Sequence, residues 1–285
     1  MSAFVTLQKV LPKKLLTELA GRLAECRWRP FKNLLIRLFC HYYQVDLAHA
    51  NIKDASGYVS FNDFFTRALE PEARPIDSAL NTMVSPADGA VSAFGSLQRH
   101  LLVQAKDILY SVDELVVDEV LADKLESGHF ITIYLSPKDY HRVHVPLAGK
   151  LIGATYVPGK LFSVNNETAR LVDGLFSRNE RIVAQFQTPD FTYALVMVGA
   201  MIVGGMETTA TGRISRSRQS VELNESVGKQ YNKGEEFGRF HLGSTVILVL
   251  PKEADIRFTD KLSEGAALNM GTALAALGQL ESESL

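Results

Sequence analysis

The sequence predicts an α+β protein in which N-terminal helices pack beside a β-rich, barrel- or sandwich-like, mainly antiparallel domain. Three observations point there. Apolar residues recur at helical spacing only in the first part of the chain, as at Leu15, Leu16, Leu19 and Leu23. From Met83 onward the texture changes to short runs rich in β-branched and aromatic residues, bounded by Gly and Pro. One turn-into-strand pattern also occurs three times, at Ala87-Asp88-Gly89-Ala90-Val91, Leu147-Ala148-Gly149-Lys150-Leu151 and Ala210-Thr211-Gly212-Arg213-Ile214, which suits a sheet folded over on itself.

Taken in order, the first helix follows Pro12, a residue suited to a first helical position. The second is predicted from about Phe31 to Ala50, with the unusually apolar centre NLLIRLFCHYY. Two settings fit it: an interfacial anchor that buries Leu34, Leu35, Leu38 and Phe39 while Lys32 and Arg37 meet headgroups, or a helix packed on the body or on another subunit. A short helix closed by prolines is expected in VSFNDFFTRALEPEARPID, after a turn at Gly57. The strand runs are AVSAFG, LLVQA, HFITIYLS, HRVHVP, KLIGATYV, RIVAQF, YALVMVGAMIVGGM and TVILVL.

Composition narrows the function. With 46% hydrophobic and 22% charged residues, the 285-residue chain can bury a full core. Cys26 and Cys40 lack C-x-x-C spacing, so neither a disulfide framework nor a thiolate metal site is indicated. Residues 1–37 hold eight Lys/Arg against Glu18 and Glu25, a net +6 that leaves −8 on the remainder. A basic, apolar N-terminus on an acidic body favours an anionic lipid surface over nucleic acid. Lys9, Lys13 and Lys14 interrupt any signal-peptide core, and no stretch is apolar for long enough to span a bilayer. The expected place is the cytoplasmic face of the cell (inner) membrane, peripherally bound.

Asp88, His141, His144 and Ser244 are the candidate chemical residues. An Asp-Gly turn at Asp88-Gly89 is the plain alternative for the first. Neither histidine has a carboxylate or third histidine at a ligand spacing, so no metal is expected. Ser244 lacks the G-x-S-x-G elbow of α/β-hydrolases and the helices that would flank such a sheet.

The segment FHLGSTVILVL resembles the L-G-S-T self-processing site of bacterial phosphatidylserine decarboxylases. The likeness extends to FFTRALEPEARPID, SPADG, YLSPKDYHRVHVP, VPGKLFSVN, NER and GAMIVGGMET, in the family's order and spacing. It implies a catalytic domain at 56–285, beside a helical membrane-association region at 1–55. It also implies a proenzyme cut between Gly243 and Ser244 into a β chain 1–243 and an α chain 244–285. Ser244 Oγ would attack the Gly243 carbonyl, with His144 as general base oriented by Asp88, and elimination would convert Ser244 into a covalent pyruvoyl group. That cofactor would bind the amine of phosphatidylserine as a Schiff base and serve as electron sink for its decarboxylation to phosphatidylethanolamine. His141 is the implied assistant in decarboxylation, Phe162 and Asn165 are implied pocket residues, and a homodimer is the implied assembly. Two alternatives stay open: a pyruvoyl decarboxylase of a soluble amino acid, and a non-processing lipid-binding relative.

Overall fold

In the computed structural model, which describes residues 13–105, 108–201, 205–241 and 244–278, the chain begins with helices α1 (Lys13–Ala24) and α2 (Arg29–Tyr43). Helix α2 ends before the Ala50 expected from sequence, because Gln44 takes a left-handed conformation and Asp46 Oδ1 then accepts the Ala48 N–H to close a turn. Helix α3 (Phe61–Phe65) is opened by Ser60, whose hydroxyl accepts the Asp63 N–H. Ala24, Ile36, Tyr58, Phe61, Phe64 and Phe65 close into a small helical core, with Leu35 and Phe39 packed against it.

This packing divides the apolar face of α2. Leu35 and Phe39 turn inward, whereas Leu34 and Leu38 remain 58% and 57% exposed, one residue's rotation around the helix. Lys32 does not reach outward to headgroups as expected. It is 3% exposed and its Nζ donates to the Ala55 carbonyl at 3.0 Å, which ties α2 to the chain that follows it.

The β region runs β1 (Thr82–Val84), β2 (Gly89–Ser96), β3 (Leu101–Ala105), β4 (Ile108–Ser111), β5 (His129–Leu135), β6 (Arg142–His144), β7 (Gly149–Val157), β8 (Arg181–Gln187) and β9 (Thr192–Gly199). It continues with β10 (Met206–Thr208), β11 (Gly212–Arg213), β12 (Val221–Glu222), β13 (Gln230–Tyr231), β14 (Glu236–Phe240), β15 (Ser244–Leu250), β16 (Ile256–Phe258), β17 (Ala267–Leu268) and β18 (Ala273–Leu277). The main antiparallel sheet has the order β12-β7-β8-β9-β15-β5-β2-β17, with β13 also paired to β7. A four-stranded sheet, β11-β10-β14-β6, shares one core with it through Val143, Met206, Phe237 and Phe240. The terminal strands β12 and β17 are only two residues long and do not pair with each other, so the main sheet stays open and forms no closed barrel.

Each of the three sequence repeats places its glycine first in a strand, at Gly89, Gly149 and Gly212. At Gly89 a Cβ would meet the Tyr134 carbonyl oxygen at 2.4 Å, so the close approach of β2 to β5 demands glycine. The run Val246–Leu250 is buried throughout because β15 is covered on both faces. Val246, Leu248 and Leu250 join the core shared with the small sheet, while Ile247 and Val249 meet a second core that includes helices α4 (Val112–Val116) and α5 (Glu119–Leu125).

Candidate active site

Ser244 is the first residue of the central strand, paired with Gly199 of β9 on one side and Leu135 of β5 on the other. Its Oγ is buried and has no hydrogen-bond partner among the described residues. Gly243, the other half of the expected cleavage site, lies outside the described residues. The chain leaves the small sheet at Phe240 and enters the main sheet at Ser244, so the Ser244 hydroxyl sits where the two sheets join.

The two histidines differ in what their ring nitrogens meet. His141 Nδ1 lies 2.8 Å from the Asp139 carbonyl oxygen, which can only accept, so that nitrogen carries the proton. Its Nε2 is left as a lone pair without a partner among the described residues. Complete burial, with the Phe65 ring 4.1 Å away, pushes its pKa down to about 3, which keeps the ring neutral. His144, at the end of β6, donates Nδ1–H to the Gly234 carbonyl at 2.8 Å and directs Nε2 at the Tyr140 hydroxyl at 3.1 Å. Burial lowers its pKa as well, opposed by the Gly234 hydrogen bond and by the charges of Glu236 and Asp88.

Asp88 stands at the turn into β2 and is close enough for its charge to act on His144, but its hydrogen bonds go elsewhere. Arg74 grips the carboxylate through Nε at 2.8 and 3.1 Å and through Nη2 at 2.5 Å, and the Met270 N–H donates to Oδ1 at 2.8 Å. In this structure the Gly234 carbonyl fixes the His144 tautomer, the task that sequence reading gave to Asp88. Beside Asp88 opens a cavity of about 650 Å³, lined among others by Arg67, Arg74, Tyr134, Lys138, Asp139 and Tyr140.

Phe162 is buried, and its backbone is held on both sides by Asn179: the amide oxygen accepts the Phe162 N–H at 3.1 Å, and Nδ2 donates to the Phe162 carbonyl at 2.9 Å. The same Nδ2 reaches the carbonyl of Gly199, the residue paired with Ser244. Asn165 Oδ1 accepts the Thr168 N–H at 2.9 Å, a local cap. Sequence reasoning missed Arg74, Tyr140, Asn179 and His241. All four stood inside quoted segments, and only their tertiary neighbours give them a role. Among the described residues, no three His, Cys, Asp or Glu side chains converge as metal ligands.

Fold and site define a class of α+β enzyme in which a buried serine leads a central antiparallel strand, with one histidine ending a strand of the neighbouring sheet and a second just before that strand. The family model described as phosphatidylserine decarboxylase matches residues 61–276, and a second, described as PSD, matches residues 3–44. The phosphatidylserine decarboxylase proenzyme of Psychrobacter arcticus is 46% identical over 275 residues, covering 96% of this chain and 99% of that protein. The proenzymes so named from Pseudomonas fluorescens and Saccharophagus degradans are 47% and 45% identical over 277 and 278 residues, covering 95% and 96% of this chain and 96% and 97% of theirs. The chain belongs to the phosphatidylserine decarboxylase family and is therefore an enzyme of the carboxy-lyase class.

Proposed function

We propose that this chain is a proenzyme that cuts itself between Gly243 and Ser244 and then converts phosphatidylserine to phosphatidylethanolamine. The observation that carries the reading is the buried Ser244 Oγ at the head of β15, without a hydrogen-bond partner among the described residues, in a chain of this family. A hydroxyl withdrawn from water without a partner costs stability, and a nucleophile aimed at the peptide bond behind it accounts for that cost.

In the cleavage, Ser244 Oγ gives its proton to His144 and bonds to the Gly243 carbonyl carbon. The C–N bond breaks, the proton passes to the new amine, and the peptide becomes an ester. Loss of the Ser244 α-proton then forms Cα=Cβ and expels Gly243 as a carboxylate, and water replaces the nitrogen as ammonia leaves. Asp88 favours the charge that develops on His144, and the Gly234 carbonyl holds its ring. The pyruvoyl group left at position 244 supplies a carbonyl that withdraws the electron pair released with CO₂. The site fits such a group, because the strand that carries it is held from both sides and the surroundings are dry. His141 serves turnover, holding or delivering a proton at its Nε2, while Phe162 and Asn165 border the substrate.

The reading assigns residues 1–55 to membrane association and 56–285 to catalysis. Trp28, Leu34, Leu38 and Tyr42 are exposed apolar residues on and beside α2, and no helix among the described residues is long and apolar enough to cross a membrane. Peripheral attachment to an anionic bilayer, where the substrate resides, follows from that exposure and from the +6 charge of residues 1–37. Intact mass under denaturing conditions tests the core of the proposal. Wild type should yield two chains, the shorter reactive toward carbonyl reagents, and Ser244→Ala should stay full length and inactive; a cut Ser244→Ala chain would refute it.

A further inference from the structure

Three residues before Ser244, His241 is 5% exposed and has both ring nitrogens engaged. Asn62 of α3 directs its side-chain nitrogen at His241 Nδ1 (2.6 Å) and at Glu25 Oε1 (2.8 Å). Glu25 is also paired with Arg213 at 2.8 Å, so its carboxylate accepts only, and the nitrogen of the Asn62 amide must be the atom that faces it. The second hydrogen on that nitrogen points at His241 Nδ1, which is thereby an acceptor. The ring proton sits on Nε2 and is donated to Glu207 Oε2 of β10 at 3.0 Å. That hydrogen bond is the main influence holding the Glu207 carboxyl below its ordinary pKa, with Arg239 adding to it. The backbone N–H of His241 donates to the Gly205 carbonyl, also at 3.0 Å.

One chain of hydrogen bonds thus runs from the helical layer, through the His241 ring, to the small sheet. With both nitrogens occupied the ring has no lone pair to offer Ser244, so its effect is on position. Position matters here, because attack by Oγ on the preceding carbonyl is intramolecular and its rate depends on the approach of the two atoms. The chain also has only residues 241–243 in which to pass from β14 to β15.

We propose that His241 is a positioning residue for self-cleavage: as the Nε2–H tautomer clamped between Asn62 and Glu207, it sets the approach of the chain to Ser244 and makes maturation conditional on the helical layer being docked. This rests on cleavage at Gly243-Ser244. Cleavage is timed on denaturing gels for wild type, Asn62→Ala and His241→Ala, and for His241→Asn, which keeps an acceptor toward Asn62, and His241→Gln, which keeps a donor toward Glu207. Unfolding midpoints are measured on the same samples, and nitrogen-15 imidazole spectra are recorded on the uncut Ser244→Ala protein.

His241→Ala and Asn62→Ala should each slow cleavage by about tenfold or more, and at least one of the two amide variants should recover a substantial part of the His241→Ala loss. The His241 Nδ1 should resonate as an unprotonated nitrogen. Normal cleavage in His241→Ala, a protonated Nδ1, or slowing that tracks the unfolding midpoint with no rescue by either amide would each overturn this inference alone. An uncut wild type would overturn the cleavage reading and this inference with it.

Discussion

Ser244 Oγ and His141 Nε2 are both buried polar atoms without a partner among the described residues, and such atoms cost about 1–3 kcal/mol each. Their expected roles separate by substitution. His144→Ala and Asp88→Asn should slow cleavage, by about 10²–10⁴-fold where general-base assistance is lost. His141→Ala should mature into two chains and release little CO₂, and accumulation of uncut His141→Ala precursor would instead place His141 in the cleavage step. Burial also ties His141 to stability. The unfolded chain protonates this ring near its ordinary 6.5, the folded chain only at about 3. Between those values the unfolded state binds more protons, so the stability is fully present above the unfolded value and is lost as pH falls through the window, by up to about 1.4 kcal/mol per pH unit. Urea midpoints should therefore drop between pH 7 and pH 5, and drop less in His141→Gln; an equal drop would assign the titration to other groups.

Strand β15 illustrates how an element positions a single side chain. Its alternate residues enter two different cores, which locks its register, and register in turn locks the place of Ser244 beside Gly199 and Leu135. The loop between β7 and α6 (Asn166–Ala169) depends on one side chain in a comparable way, since Asn179 joins the Phe162 backbone to Gly199. Asn179→Ala should lose about 1–3 kcal/mol of stability, because buried backbone groups lose their partners. If Phe162 borders the substrate, the same variant should raise KM for phosphatidylserine in vesicles while self-cleavage goes to completion. An unchanged KM with lowered stability would make the loop purely structural.

For the molecule as a whole, the division of α2 decides how membrane attachment is tested. Leu35 and Phe39 belong to the helical core, so Leu35→Glu with Phe39→Glu should disrupt folding and maturation together. Leu34 and Leu38 face outward, and Leu34→Glu with Leu38→Glu should detach the protein from anionic vesicles while leaving cleavage intact. Burying each apolar side chain contributes roughly 1.5–3 kcal/mol and each basic residue about 1 kcal/mol before screening, so high salt should release wild type only partly. Co-sedimentation at low and high salt measures both effects. Complete release by salt would show that charge alone holds the protein on the bilayer.

The sequence by itself determined the α+β class, the long strands β5, β8, β9 and β15 and the likeness to the family, and it supplied the candidate residues. Strands covered on both faces read as continuous apolar runs, and the candidate residues cluster in short local segments whose likeness to the family is plain. The short strands β10, β12, β13 and β16 to β18 escaped it, because two to five residues carry too little periodicity and are stabilised by partners distant in the chain. The same reason governs the site. That Asp88 is gripped by Arg74, that Gly234 holds the His144 ring, that Leu35 turns inward while Leu34 does not, and that His241 bridges Asn62 and Glu207 were all decided by tertiary structure. A hydrogen bond selects its partner at separations of about 3 Å, and only the packing of segments far apart in sequence sets distances on that scale.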